Sequence, residues 1–533
     1  MQFNSLEFLI FLPVIAILYF ALPHKYRWGL LLAASCFFFG FFYYSSFDPL
    51  KETPFFKYDP AKNKPVIYYI ILTLSIISVI LVNYFVAIII DRAKTAGSGR
   101  AKLYLVIGII YTLLLLFVFK YFNFFSQTVS DIALFLDLRY PPRILKILVP
   151  VGISYYTFQS ISYLVDVYRG TMKPERHLGI LSLYILFFPK IVAGPIERPQ
   201  KLIKQFYEEH QFDYKQVMDG LKLMAWGFFQ KIVIADRAAI VANDVFSNPK
   251  GFLGIYLIIA SLCFIFQVFC DFAGYSNIAI GTAQIFGIKL TQNFKRPYLS
   301  PSIPELWRRW HITLIAWFRD YVYIPLGGNR VAQLRWQFNI FTIFFLSGIW
   351  HGANWTFIIW ASLNGFYSLA SIWTKNIRRK LVTLTGLSKV PRLHNVLKIV
   401  NTFLLFTFAG IFFRADKTSD GFYIITNLFS GFGGLIQTLM TMNVDTIKAY
   451  IVIQNKTTFL GFAKPAFLPE MITLALAIMV HGTIEIIQEV KKQSMREMIS
   501  QKPWYVQIAL YYCLLFSIVF LGMSGQQFLY FVF

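Results

Sequence analysis

Uncharged apolar runs of about 20 residues, the length that crosses a hydrocarbon layer of ~30 Å, recur along almost all of this sequence. In hydrocarbon every backbone N–H and C=O must be satisfied inside the protein, which leaves packed helices or a closed barrel. A barrel requires short alternating strands, whereas these runs are continuous. The expectation is an all-α polytopic integral membrane protein of about 11–13 membrane helices, with re-entrant or interfacial helices between them. No long polar linker interrupts the pattern, so residues 1–533 read as one membrane domain.

Composition decides what the charge means. Only 14% of residues are charged and 57% are hydrophobic, against about 25% charged in soluble domains. A net charge of +24 in a soluble chain would point to nucleic acid. Here Lys and Arg collect in short loops, as they do where loops face an anionic cytoplasmic leaflet. The partners implied are membrane lipids and phosphate-bearing metabolites, with no nucleic acid. The four cysteines, Cys36, Cys263, Cys270 and Cys513, lack metal-ligand spacing, so neither a metal site nor a structural disulfide is expected.

Taken in order, spans are expected at 8–22, 28–47, 65–90, 103–125, 145–168, 178–193, 252–286, 396–413, 467–487 and 505–522. No basic residue precedes the first run, so it reads as a retained helix and not a cleaved leader. Basic loops at 23–27, 91–102 and 169–177 place both chain ends on the extracytoplasmic side, although Lys51, Lys57, Lys62 and Lys64 count against this. In 178–225, Lys190 and the Gly-Pro pair of IVAGPIERP interrupt the apolar pattern. That stretch is either a re-entrant wall of a cavity or a kinked span ending in a basic interfacial loop. In 252–286 the polar residues Asp271 and Asn277 stand among small residues suited to close helix packing, and a buried Asp271 should face a partner or water. Residues 421–466 read as amphipathic helices and loop on the outer surface.

Two knots of polar and aromatic residues lie in this apolar background: ELWRRWHITLIAWFRDYVYIPLGGNR, Glu305–Arg330, and SGIWHGANW, Ser347–Trp355. They hold His311 and His351, and an ionisable group at membrane depth is a functional hypothesis by default. Phosphate-cradling loops, dinucleotide fingerprints, His-Glu-x-x-His and Gly-x-Ser-x-Gly do not occur. What remains is acid/base chemistry: a neutral imidazole can take a hydroxyl proton as that oxygen attacks an acyl carbonyl, a contribution of about 10²–10⁴-fold. Trp350, Trp355, Asn354, Arg308 and Arg309 supply donors for the oxyanion, and Trp307, Trp310 and Asp271 complete the candidate substrate-binding set. The competing reading makes the arginines interface anchors, the tryptophans an aromatic belt and the histidines packing residues.

These two knots, together with GISYYTFQSISYLVDVYRG (Gly152–Gly170), FFPKIVAGPIERP (Phe187–Pro199) and CDFAGYSNIAIG (Cys270–Gly281), resemble the bacterial branch of the membrane-bound O-acyltransferase (MBOAT) family. The likeness is to its alginate-, polysaccharide- and peptidoglycan-acetylating members. It implies a ring of helices around a central funnel with a thin waist, in the bacterial inner membrane, with the histidine core at about 145–375 and C-terminal spans and tail at about 396–533. An acyl thioester, acetyl-CoA or an acyl carrier, is implied as cytoplasmic donor substrate, with no tightly bound cofactor and an extracytoplasmic polysaccharide as acceptor. His351 matches the family's catalytic histidine and His311 its second histidine; Asn277 departs from the Asp often found there. The resemblance also implies a separate serine-hydrolase-type acyltransferase that completes delivery. D-alanyl transfer from a carrier protein and non-enzymatic envelope polysaccharide or lipid transport stand as alternatives.

The tail GQQFLYFVF, Gly525–Phe533, contains Tyr530. Its phenol is a nucleophile once a base removes the proton, and FLYFVF resembles the aromatic tail by which family members or their partner peptides relay an acyl group. An interfacial aromatic anchor is the other reading.

Overall fold

A computed structural model of the chain describes residues 1–46, 65–138, 140–145, 149–252, 254–433, 467–523 and 528. Every regular element among the described residues is helical. The order begins with α1 (Leu6–Ala21), α2 (His24–Ser46), α3 (Pro65–Thr95), α4 (Ala101–Leu116), α5 (Phe122–Phe135), α6 (Ile153–Arg169) and α7 (Leu178–Leu186). It continues through α8 (Pro199–Tyr207), α9 (Tyr214–Phe228), α10 (Asp236–Ser247), α11 (Gly254–Ile285), α12 (Ile303–Arg309), α13 (Ile312–Phe318) and α14 (Gln333–His351). Then come α15 (Trp355–Trp373), α16 (Lys375–Leu384), α17 (Pro391–Arg414), α18 (Thr418–Asn427), α19 (Phe467–Lys491), α20 (Met495–Ser500) and α21 (Trp504–Leu521). Wide π-helical turns at Phe117–Tyr121, Phe229–Ala235 and Arg319–Tyr323 sit inside or directly after α4, α9 and α13.

Among the described residues, six stretches are long and apolar enough to cross a membrane: Ile70–Thr95, Ala101–Phe135, Gly254–Ile285, Pro391–Arg414, Glu470–Lys491 and Trp504–Leu521. This multi-pass helical protein carries its remaining apolar helices as shorter or more polar elements. Buried Ser, Thr, Asn, Tyr and Trp side chains in α6, α14 and α15 lower their hydropathy while filling the interior. Two expected spans are also trimmed by local chemistry. The helix expected from 145 begins at Ile153, because Pro150 precedes it and Gly152 takes the left-handed φ of +75°. The span expected to reach 193 ends at Leu186, where Phe187 leaves helical geometry two residues before Pro189.

From Phe187 to Ile196 the backbone then runs without a helix and fully buried, tolerated because its polar groups find partners inside the protein. Ser35 Oγ accepts from Phe188 N at 3.0 Å, and Thr313 Oγ1 accepts from Ile196 N at 3.0 Å. Lys190 donates to Gln159 Oε1 at 2.8 Å and to the Tyr184 carbonyl at 2.6 Å. Irregular backbone at depth is thus a built wall, as the re-entrant reading expects.

Removing apolar surface from lipid gains little, so helices here associate through close packing and internal polar contacts. A close seam joins α9 to α11. A Cβ at Gly220 would lie 2.7 Å from the Gly281 carbonyl oxygen, and one at Gly227 would lie 2.6 Å from that of Gly274. Glycine is what lets these backbones touch. Beside the seam, Lys231 bridges Asp236 at 2.8 Å and Asp271 at 2.6 Å, all three side chains at most 4% exposed. Of the tail, the described residue Phe528 is buried, its ring 5.2 Å from Tyr275 and 4.4 Å from Lys231 Nζ.

Two aromatic-rich clusters fill the interior. One gathers α1–α4, α6, α7 and the buried wall, and takes in Trp317 and Trp350; the other gathers α9–α11, α15 and α17 around Trp307, Trp310 and Trp360. Phe294 packs against both. Their boundary is where both histidines lie.

Candidate active site at the two histidines

His351 is the last residue of α14 and His311 immediately precedes α13. Both are buried, at 3% and 0% exposure, and the Trp350 indole touches both. Its ring centroid is 5.0 Å from His351 and 5.9 Å from His311, edge-on to each. Trp350 is held in turn by Phe158 and Tyr155, each at 5.4 Å, and donates its Nε1–H to the Ser154 carbonyl at 3.4 Å.

His311 takes a left-handed backbone conformation, φ 45° and ψ 50°, which costs a non-glycine residue of order 1–3 kcal/mol and persists only where the surroundings over-determine it. Those surroundings centre on Asn293. Its Oδ1 accepts from His311 Nδ1 at 3.2 Å and from Thr313 N and Oγ1 at 3.2 and 2.9 Å. The Asn293 carbonyl also accepts from Ile312 N at 2.9 Å. A proton fixed on Nδ1 leaves Nε2 as the basic nitrogen of a neutral ring. Through Thr313 the same cluster is tied to Ile196 of the buried wall.

The end of α14 has a different support. Helix ends leave carbonyls without an intrahelical donor, and a cation there is favoured by the helix dipole. Lys120, in the π turn Phe117–Tyr121, donates to the Trp350 and His351 carbonyls at 2.9 and 3.1 Å and to Ser154 Oγ at 3.2 Å. Tyr121 OH donates to the Ile349 carbonyl at 2.9 Å. On its far side the His351 ring meets Trp360 at 5.0 Å and Phe413 at 5.4 Å, both edge-on. Trp307 lies one ring further out, 5.7 Å from Trp360, donating Nε1–H to Asn364 Oδ1 at 3.3 Å. Trp310 packs behind His311 on Phe294 at 5.2 Å.

The other expected substrate-binding residues are engaged elsewhere. Arg308 is 77% exposed and pairs with Glu305 at 3.3 Å. Arg309 pairs with Glu305 at 2.9 Å and with Glu489 at 3.4 Å. Asn354 caps α15 by accepting from Thr356 N at 3.1 Å and donates to the Asp416 carbonyl at 3.1 Å. Asp271 faces a partner, Lys231, in the separate ion cluster. Tyr530 lies outside the described residues. Sequence reasoning missed Lys120, Tyr121 and Asn293. Lys120 was open to discovery, as the lone charge in the run VFKYFNFF; Asn293 carries no such signal, because only the fold brings it under His311. Asn277 donates to Gln230 Oε1 at 2.7 Å, and Gln230 Nε2 lies 3.0 Å from Nε2 of the buried His481.

Two buried imidazoles thus meet one indole in the interior of a polytopic helical membrane protein. Comparison with known proteins specifies the class. The chain belongs to the MBOAT, membrane-bound O-acyltransferase family, whose family model matches residues 177–415, and it is an acyltransferase of that type. It is 35% identical over 437 residues to the probable alginate O-acetylase AlgI of Pseudomonas aeruginosa, covering 81% of this chain and 75% of that protein. With the peptidoglycan O-acetyltransferase of Helicobacter pylori it shares 30% identity over 484 residues, 85% of this chain and 86% of the relative. The teichoic acid D-alanyltransferase of Bacillus subtilis is 30% identical over 297 residues, 51% of this chain and 69% of that protein.

Proposed function

We propose that this acyltransferase moves an acetyl group from a cytoplasmic thioester, acetyl-CoA, to hydroxyls of an extracytoplasmic polysaccharide or peptidoglycan across the inner membrane, both chain ends lying outside. The observation that carries this reading is the burial of His311 and His351 against the same Trp350 ring, in a chain similar to an alginate O-acetylase and a peptidoglycan O-acetyltransferase. His351 is the general base. Its ring takes the proton from the acceptor hydroxyl as the oxygen forms a bond to the acyl carbon, and the C–S bond breaks to release the thiolate, which recovers a proton. His311 polarises or positions the reacting carbonyl, and Trp350, Trp307 and Trp310 wall the site against water.

An acyl group can reach the outer side directly or through a carrier. Tyr530 is the proposed carrier, acylated on its phenolic oxygen with a histidine as base, before a separate serine-hydrolase-type acyltransferase takes the group to the polymer. Support comes from Phe528, two residues away and buried in the core.

Purified protein in lipid bilayers, given radiolabelled acetyl-CoA and acceptor, should transfer label, and His351→Ala should lower the rate about 10²–10⁴-fold at unchanged expression. Full transfer by that variant would refute the assignment of His351. Mass analysis of the envelope polymer with and without the protein distinguishes acetyl from D-alanyl esters. Loss of an acyl adduct on the C-terminal peptide in Tyr530→Phe, with loss of polymer acylation, tests the relay.

A further inference from the structure

Between α9, α19 and α21 lies a cavity of about 580 Å³, well within the ~300–1,000 Å³ of small-molecule sites. Most of its lining is apolar: Leu223, Phe229 and Val233 on one side, Leu476 and Val480 on α19, Leu514 on α21. Its second wall is thin. No residue of α21 is buried, so this helix separates the cavity from what surrounds the protein and has lipid on its other faces. The lining residues run from Thr473 to Gln488 along α19 and from Leu510 to Leu521 along α21. At about 1.5 Å per residue that is ~16–22 Å of helix, close to one leaflet of a hydrocarbon layer ~30 Å thick.

One end of the cavity is basic. Lys222, Lys295, Arg296 and Arg496 line it together with Ser494 and Gln488, where α19 ends and α20 begins. Nearby acids answer part of this charge. Asp219 lies 3.6 Å from Lys222 and Glu489 lies 2.7 Å from Arg296, and Glu485 also lines the wall. Arg496 is held by the Asp219 carbonyl at 3.1 Å and Gln284 Oε1 at 3.3 Å. Lys295 is exposed and, among the described residues, makes no ion pair. Four cations against the three acids Asp219, Glu485 and Glu489 leave the rim with a net positive charge carried by Lys295, and the neighbouring sequence adds Lys491, Lys492 and Lys502, a density that marks the side facing the anionic leaflet.

We infer that this cavity binds an anionic phospholipid, one acyl chain lying along α19 and α21 and the headgroup phosphate at Lys295 and Arg496. A cavity one leaflet long, closed from the bilayer by a single lipid-bathed helix and cationic at headgroup depth, fits that ligand in shape and in sign. Neither His311 nor His351 lines this cavity, and its test needs no activity.

Delipidated protein in detergent is titrated with phosphatidylglycerol or phosphatidylcholine and read by native mass spectrometry and thermal melting. The wild type should retain one phosphatidylglycerol about 30-fold more tightly than phosphatidylcholine, the preference two juxtamembrane cations confer. Lys295→Gln combined with Arg496→Gln should remove that preference, and Leu514→Trp should fill the cavity and abolish retention. Lys295→Gln alone, at an exposed position, leaves folding untouched and should weaken the preference partway. Equal retention of the two lipids, or undiminished phosphatidylglycerol binding by a normally melting Leu514→Trp protein, overturns the proposal. So does displacement of the lipid by acetyl-CoA, which would give the cavity to the donor.

Discussion

Replacing Lys120 by Met keeps the length of the side chain and removes its ammonium from three acceptors, the Trp350 and His351 carbonyls and Ser154 Oγ. Two of these are the last carbonyls of the helix that ends in His351. A hydrogen bond to a charged group contributes about 1.5–3 kcal/mol, and a buried carbonyl left without a donor costs about 1–3 kcal/mol. Against this, the variant no longer has to desolvate an ammonium, which cancels part of the loss. The expected net change in stability is therefore only about 1–2 kcal/mol, a few degrees in melting temperature. Activity should suffer more. Without the clamp the terminal turn of α14 is free to fray, and a displacement of ~1 Å in a catalytic group can lower the rate about 10²-fold. The assay is initial-rate acetyl transfer in bilayers at varied acetyl-CoA, with melting measured on the same preparation. The expected signature is a fall in kcat of about 10²-fold with little change in KM, partly restored in Lys120→Arg, whose guanidinium can still meet the carbonyls. If Lys120→Met kept wild-type kcat, the clamp would be structural only and the positioning argument would fail.

Asn293→Leu deprives His311 Nδ1 of its acceptor and leaves the left-handed turn without its organiser. Transfer should drop about 10–10²-fold, as for partners that orient a histidine ligand, and a pH–rate profile should shift if Nδ1 tautomerism controls the ring. Lys231→Met strands Asp236 and Asp271 in the interior, which should cost about 3–5 kcal/mol. Expression and melting would report it, and a variant that also carries Asp236→Asn and Asp271→Asn should recover much of the loss.

Several features of this protein are written in local composition and others are not. Apolar length alone places α1, α2, α3, α11, α19 and α21 within a few residues, because crossing a hydrocarbon layer demands one kind of sequence. The histidine motifs stand out for the converse reason, that ionisable groups are rare at depth. Hydropathy says nothing of phase or of partners. The run 103–125 reads as one straight span, whereas Ala101–Phe135 contains the wide turn that carries Lys120. In the same way the Arg308 and Arg309 pair beside His311 looks like part of the site, yet α12 turns both guanidinium groups to Glu305. An ion pair three or four residues away is a local matter; an asparagine that reaches a histidine 18 residues on depends on the whole packing of α11 against the loop after it.

The wide turns also change how the chain has to be counted. A π turn takes one residue more than an α turn, so a straight helical wheel drawn through residues 101–135 is out of phase by about 100° beyond Tyr121. The same holds where Phe229–Ala235 joins α9 to α10. Lys120 and Lys231 both lie inside such a turn, and each points its ammonium at a partner from another element. In an alignment or a graft, each of these turns is best treated as a one-residue insertion. The number of residues in the helix, as much as the presence of a lysine, decides whether the charge faces inward.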